Sequence, residues 1–171
     1  MSLTISYDKD HHKDNEHKEV SDFIETYAKI VSANYKDTYK TAVTMQNKIN
    51  SFLTSPSQST LKDAKKSWLY ARNFYGQTEA YREANGPIDN EDLLGIEGQI
   101  NAWPLDEGYI DYVATNSSGT KIIQNGLIGD TSFELKELNI IAKNEEGKDD
   151  NISTGWHTIE FLLWGQDLNY N

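Results

Sequence analysis

Apolar residues recur at spacings of three and four through the first third of the chain. Val20, Phe23, Tyr27 and Val31, then Ala42, Met45, Ile49 and Phe52, alternate with Lys29, Lys36, Asp37, Lys40 and Lys48. Neither Pro nor Gly interrupts this run before Pro56. The pattern predicts one long amphipathic helix whose apolar stripe faces a core, although the register is less apolar around Asn34 and Thr38. Upstream, Tyr7 to Lys18 is almost wholly charged or polar. It reads as a solvated tail or frayed lead-in, so residues 1–18 are set apart from a helical domain over 19–171.

Ser55-Pro56-Ser57-Gln58-Ser59 reads as a turn, and Thr60-x-x-Asp63 resembles a capping box that opens a second helix. Leu61, Ala64, Trp68, Ala71, Tyr75, Thr78 and Tyr81 then share one side, and the helix should stop near Asn85-Gly86-Pro87. Two long helices joined by a short turn make an antiparallel hairpin. The expected fold is therefore all-α, a helical bundle built on that hairpin.

The remainder is less regular. Trp103 precedes Pro104 and must leave the helical conformation. Tyr109 to Ala114 suggests a short helix, and Phe133 to Lys143 another, closed by the polar loop Asn144 to Asn151. Asn116-Ser117-Ser118-Gly119 and Gly126 to Asp130 read as punctuation. Ser153 or Thr154 can cap a last helix through Trp156, Ile159, Phe161, Leu162, Leu163 and Trp164. That segment is apolar nearly all round and is expected to be buried.

Composition narrows the function classes. With 16 Lys and Arg against 27 Asp and Glu, the formal charge is -11. Such a surface repels phosphate backbones, which argues against nucleic acid as a partner. There is no cysteine, so disulfides, thiolate catalysis and Cys-ligated metals are excluded. No stretch is apolar for the roughly eighteen residues a membrane helix needs. No leader is visible at Met1 to Tyr7, where a charged start and an apolar run would mark one.

The chemistry-bearing candidates are few. Three of the four histidines, His11, His12 and His17, lie in the polar lead-in, where they can hold a metal loosely. The fourth, His157, precedes Glu160 by three residues, which on a helix places both side chains on one face. An imidazole beside a carboxylate suits zinc or iron. Taken as a bare pattern, the same residues read first as a hydrogen-bonded pair that steadies a buried helix. Gly155, near the helix start, permits close approach of another backbone or of a ligand. Further oxygen ligands stand at Glu79, Asp89, Asp106 and Glu107, each of which also reads as a plain surface carboxylate.

Three blocks resemble the imelysin family, also known as insulin-cleaving membrane proteases. They are Ala71 to Arg82 with Asn85-Gly86-Pro87-Ile88-Asp89, then Glu97 to Glu107, then Gly155-Trp156-His157-Thr158-Ile159-Glu160 running on to Asp167. The likeness covers about Val20 to Asp167. It implies a first helical bundle of two, export to the periplasm or outer surface of a bacterium, often as a lipoprotein, and a Gly-x-His-x-x-Glu metal site. His157, Glu160 and Gly155 take the third block's positions. Asn101, Trp103, Pro104 and Asp106 match the second block, and Arg72 and Glu79 the first. The metal-ligand set expected from this likeness is His157, Glu160, Asp106 and Glu79, with Gly155, Arg72, Asn101 and Trp103 as motif support. The family domain is about twice this length, so the second bundle is not in this chain. An apolar face left open would favour pairing with a second copy.

Two activities follow from the resemblance. One is binding of iron or an iron-bearing ligand beside an uptake system and its partner proteins, with membrane contact only through a removed lipid anchor. The other is metallopeptidase chemistry through His157 and Glu160. A zinc hydrolase needs three protein ligands, an open water position and a base. His157 is the only histidine outside the lead-in, so that set is incomplete, and the binding reading is favoured. A structural or interaction module is the third reading.

Overall fold

The computed structural model describes residues 9–82, 86, 88–90, 96–114 and 126–166, with backbone alone for 9–15. The predicted stop at Asn85 and Pro87, the Asn116 to Gly119 turn, Asp167, and the side chains of His11 and His12 lie outside the described residues.

The fold is all-α, with no strand among the described residues. Helix α1 spans Lys9–Thr54 and α2 Gln58–Arg82. They form the expected antiparallel hairpin, and α1 begins within the polar lead-in. Asn34 Nδ2 donates to the Tyr81 hydroxyl at 2.9 Å, and Tyr27 meets Tyr81 edge to face at 5.7 Å. These contacts join the far end of α2 to the middle of α1. Nearer the turn, Met45, Ile49 and Phe52 pack against Leu61, Ala64 and Trp68. Along α2 the buried residues are Ala64, Trp68, Ala71, Tyr75 and Thr78, all drawn from the predicted stripe.

The turn differs from expectation in its cap. Ser57 N donates to Thr60 Oγ1 at 3.0 Å, and Thr60 N donates to Ser57 Oγ at 3.1 Å. The reciprocal box is thus Ser57 with Thr60, one helical turn before the predicted pair. Pro56 sets the reason, because the chain re-enters the helix two residues after it and Ser57 is the first hydroxyl available as a cap.

Short helices complete the molecule: α3 (Glu97–Asn101), α4 (Glu107–Ile110), α5 (Gly126–Gly129), α6 (Glu137–Ala142) and α7 (Gly155–Trp164). α3 stops before Trp103, as Pro104 requires. The helix expected over Tyr109 to Ala114 instead starts at Glu107, where Asp106 caps it by accepting from Gly108 N at 2.9 Å. The helix expected from Phe133 is shorter at its start. Asp130 Oδ1 accepts from Ser132 N and Oγ, and Phe133 N bonds back to Asp130 O, a local turn that competes with helix there.

α7 crosses the hairpin through aromatic side chains. Trp68 Nε1 donates to the Trp156 carbonyl at 3.0 Å, and the Trp68 ring meets both Trp156 and Trp164 edge to face. Trp156, Thr158, Phe161 and Leu163 are buried, whereas Leu162 and Trp164 are exposed. The helix is therefore buried on two sides and not all round. A second core patch gathers Phe161 with Ile110 and Val113 on the other side of α7.

Candidate functional site

The Gly-x-His-x-x-Glu segment occupies the first two turns of α7, and its surroundings explain each position. Gly155 has φ +87, and a Cβ built there would collide with the Ile100 carbonyl and stand 3.0 Å from Gln99 O. The glycine lets the end of α3 lie directly against the start of α7. Thr154 has the extended backbone of a cap, yet its hydroxyl donates to Gln99 O at 2.9 Å instead of capping α7. Ser153 Oγ likewise donates to Ile140 O. These side chains tie α7 to α3 and α6.

His157 and Glu160 emerge on the same face, as their spacing requires. His157 Nδ1 lies 3.1 Å from Glu160 Oε2. The imidazole is 17% exposed and the carboxylate 43%, so the pair opens to solvent. Trp103, itself 66% exposed, lies against the imidazole with ring centroids 4.7 Å apart. Among the described residues Nε2 makes no hydrogen bond.

The other expected ligands lie elsewhere. Asp106 is committed to the α4 cap, and its backbone N–H bonds Asp150 O at 2.7 Å. Glu79 faces Arg72 at 3.4 Å. Among the described residues no group of three or more His, Asp or Glu is assembled to hold a metal ion. Of the four residues expected to hold a metal, the fold thus brings His157 and Glu160 within contact distance, and no group of three or more is assembled among the described residues. His17 lies exposed on α1.

Beside α7 runs a charged row that the sequence reading noticed only in part. The buried Tyr75 ring has the Arg72 guanidinium 5.1 Å and the Arg82 guanidinium 5.9 Å from its centroid. Arg82 Nη1 donates to the Tyr75 hydroxyl at 3.2 Å and to Glu97 Oε1 at 2.5 Å. Asn101 Nδ2 reaches the same Glu97 oxygen at 3.3 Å. Burial pushes the Tyr75 phenol up to about 12, with Glu97 adding to the rise and Arg82 opposing it. The Arg82 guanidinium is also raised: burial would lower it, but the bond to Glu97, with Tyr75, Glu97 and Asp89 nearby, outweighs that. Tyr75 in turn meets Trp156 at 5.4 Å, which links this row to the start of α7. A hollow of about 570 Å³ opens beside the row, lined by Glu79, Arg82, Asp89 and Glu97. A hollow of similar size, about 580 Å³, lies between α4 and α5 and is lined by neither His157 nor Glu160.

Asn144 is a second hub that sequence reasoning missed. Its Nδ2 donates to Gly98 O, and its Oδ1 accepts from Ser153 N and Thr154 N. One amide thereby holds the loop, α3 and the start of α7 together. Its only sequence signal is an Asn at the head of a polar loop, which reads as ordinary turn chemistry.

Compared with known proteins, residues 31–171 match the family model described as Imelysin. The chain belongs to the imelysin family. Over 77 residues, 45% of this chain, it is 29% identical to the "Iron-regulated protein A" of Synechococcus elongatus. The matched stretch is 20% of that protein's length, so this imelysin chain spans only part of what the relative contains.

Proposed function

We propose that this imelysin chain is an extracytoplasmic domain that binds iron, or an iron-bearing ligand, in connection with iron uptake, with His157 and Glu160 as its protein ligands. The observation that carries the reading is the pair itself: two metal-competent groups 3.1 Å apart, on one face of a rigidly seated helix, with the carboxylate open to solvent. Family membership and the likeness to an iron-regulated protein support the iron connection. No helix among the described residues is long and apolar enough to cross a membrane.

The donor chemistry favours cargo over a closed site. One imidazole and one carboxylate leave most positions of an iron centre to water or to a chelating ligand. Zinc hydrolysis asks for three protein ligands and a base. Asp106 and Glu79, the carboxylates expected to complete that set, are engaged in a helix cap and an ion pair. The peptidase reading of the family is therefore the second one.

Calorimetric titration of the chain with ferrous and zinc ions tests the first reading. Saturable heat that His157→Ala and Glu160→Gln each abolish is the expected result, and no heat from either ion would end it. Incubating a denatured protein substrate with and without chelator tests the second. Chelator-sensitive cleavage lost in Glu160→Ala would reverse the preference.

A further inference from the structure

α3 and α4 are joined by residues 102–106, and both ends of that link are tied to α7. On the α3 side, Gly98 O accepts from Asn144 Nδ2 and Gln99 O from Thr154 Oγ1, each at 2.9 Å, and the Ile100 carbonyl lies directly on Gly155. On the α4 side, Leu105 and Ile110 pack with Phe161, and Asp106 N donates to Asp150 O. Gly155 and Phe161 stand roughly 9 Å apart along α7, at about 1.5 Å per residue. The link therefore runs over the turns of α7 that carry His157 and Glu160. Trp103 lands on the imidazole, with ring centroids 4.7 Å apart and ring planes inclined at 54°. Both rings belong to this chain, so the contact does not depend on what lies beyond the other face of Trp103.

A histidine ring on a helix surface is otherwise poorly fixed. Its outer torsion is broad and roughly two-fold, so either ring edge can turn toward a neighbour. Two contacts remove that freedom here. Trp103 fixes the plane of the ring, and Glu160 Oε2, 3.1 Å from Nδ1, fixes which edge faces it. That spacing suits a shared ion, because two ligand bonds of about 2.1 Å meeting at roughly 95° span about 3.1 Å. Nδ1 and Oε2 thus already stand as adjacent ligands of one ion would stand. The two nitrogens of an imidazole point away from each other, so an ion on Nε2 would lie beyond the reach of Glu160.

We propose that Trp103 is a positioning residue for the metal pair, holding His157 so that Nδ1, and not Nε2, takes the ion jointly with Glu160 Oε2. The proposal rests on metal binding at this pair, and adds to it the ligating atom and the side chain that presets it. Trp103 gives no ligand to the ion. Its effect is to order the imidazole before the ion arrives, so that binding does not have to do so.

Calorimetric titration with ferrous and zinc ions, compared among the wild-type chain, Trp103→Ala and Trp103→Phe, reads the positioning. Trp103→Ala is expected to bind roughly three- to tenfold more weakly, the weight of one aromatic pair, and Trp103→Phe to recover most of the loss. Far-ultraviolet circular dichroism should not change, since Trp103 belongs to neither core cluster. Long-range proton–nitrogen NMR of the imidazoles, with His157→Ala assigning the signals, reads the ligating atom. Zinc should move the Nδ1 resonance of His157 while Nε2 keeps its proton. Without metal, the His157 ring protons should carry a ring-current shift that Trp103→Ala removes. Zinc on Nε2, or undiminished affinity in Trp103→Ala, would overturn the proposal and leave metal binding by the pair standing. No heat from either ion in the wild-type chain would end the binding reading and this proposal with it.

Discussion

A side chain on Gly155 would have to occupy space already filled by the Ile100 carbonyl, and would have to adopt φ +87 as well. Both effects act on the joint that seats α7 against α3. Gly155→Ala is expected to destabilise the chain by about 2–3 kcal/mol, read from the midpoint of urea unfolding. Because His157 and Glu160 ride on the same helix, their metal titration should weaken too. Tyr75 is the residue where burial has the clearest consequence for pH. Burial pushes its phenol up to about 12 in the folded chain, from the ordinary tyrosine value of 10.0. The native state thus holds this proton more tightly than the unfolded chain does. The associated stability is complete below about pH 10 and is lost as pH rises toward 12. Stability measured by urea unfolding at a series of alkaline pH values should therefore fall steeply in that window, and Tyr75→Phe should flatten the fall. An equally steep fall in Tyr75→Phe would assign the effect to other groups.

Among the elements, α2 was the most legible in the sequence. Its five buried residues all belong to a stripe read from spacing alone, because one face of a long helix against one neighbour is what periodicity encodes. Trp103 outside the helix was legible for a different reason, the steric demand of Pro104. The cap was not. Thr60 and Asp63 satisfy the capping pattern as well as Ser57 and Thr60 do, and only the path of the chain after Pro56 separates them. The distinction has measurable weight. Ser57→Ala removes half of the reciprocal pair and should cost about 1 kcal/mol. Asp63→Ala removes a half-exposed partner of Lys48 at 3.9 Å, and should change stability by less than about 0.5 kcal/mol. Thermal or urea unfolding of both variants checks the assignment, and a larger loss at Asp63 would restore the original one. The candidate site was legible in the same uneven way. His157 and Glu160 share a face by local geometry, whereas gathering Asp106 and Glu79 around them depends on how separate elements pack. The bond from Arg82 to Glu97 and that from Asn144 to Gly98 were likewise invisible, since they join residues 15 and 46 positions apart.

At the scale of the whole molecule, the stripe of α1 shows what periodicity cannot say. Val20 and Phe23 follow the same spacing as Met45, Ile49 and Phe52, yet among the described residues only the latter set packs into the core shared with α2 and α7. An amphipathic pattern reports that a face wants cover and is silent about whether the cover is present. The energetic difference between the two halves of α1 is large. Helices without a tertiary partner are marginal in water even when their propensity is good, because nucleation is costly and each exposed turn gains little. The half of α1 against α2 is fixed by the Met45 core and by the Asn34 and Tyr27 contacts to Tyr81. Opening it requires dismantling the hairpin. Native-state hydrogen exchange should therefore divide α1. Amides from about residue 42 to 52 should exchange only by global unfolding, and those from 16 to 26 by local opening at far lower free energy. Uniform protection along all of α1 would mean that its first turns are held as firmly as those against α2, and would overturn the division.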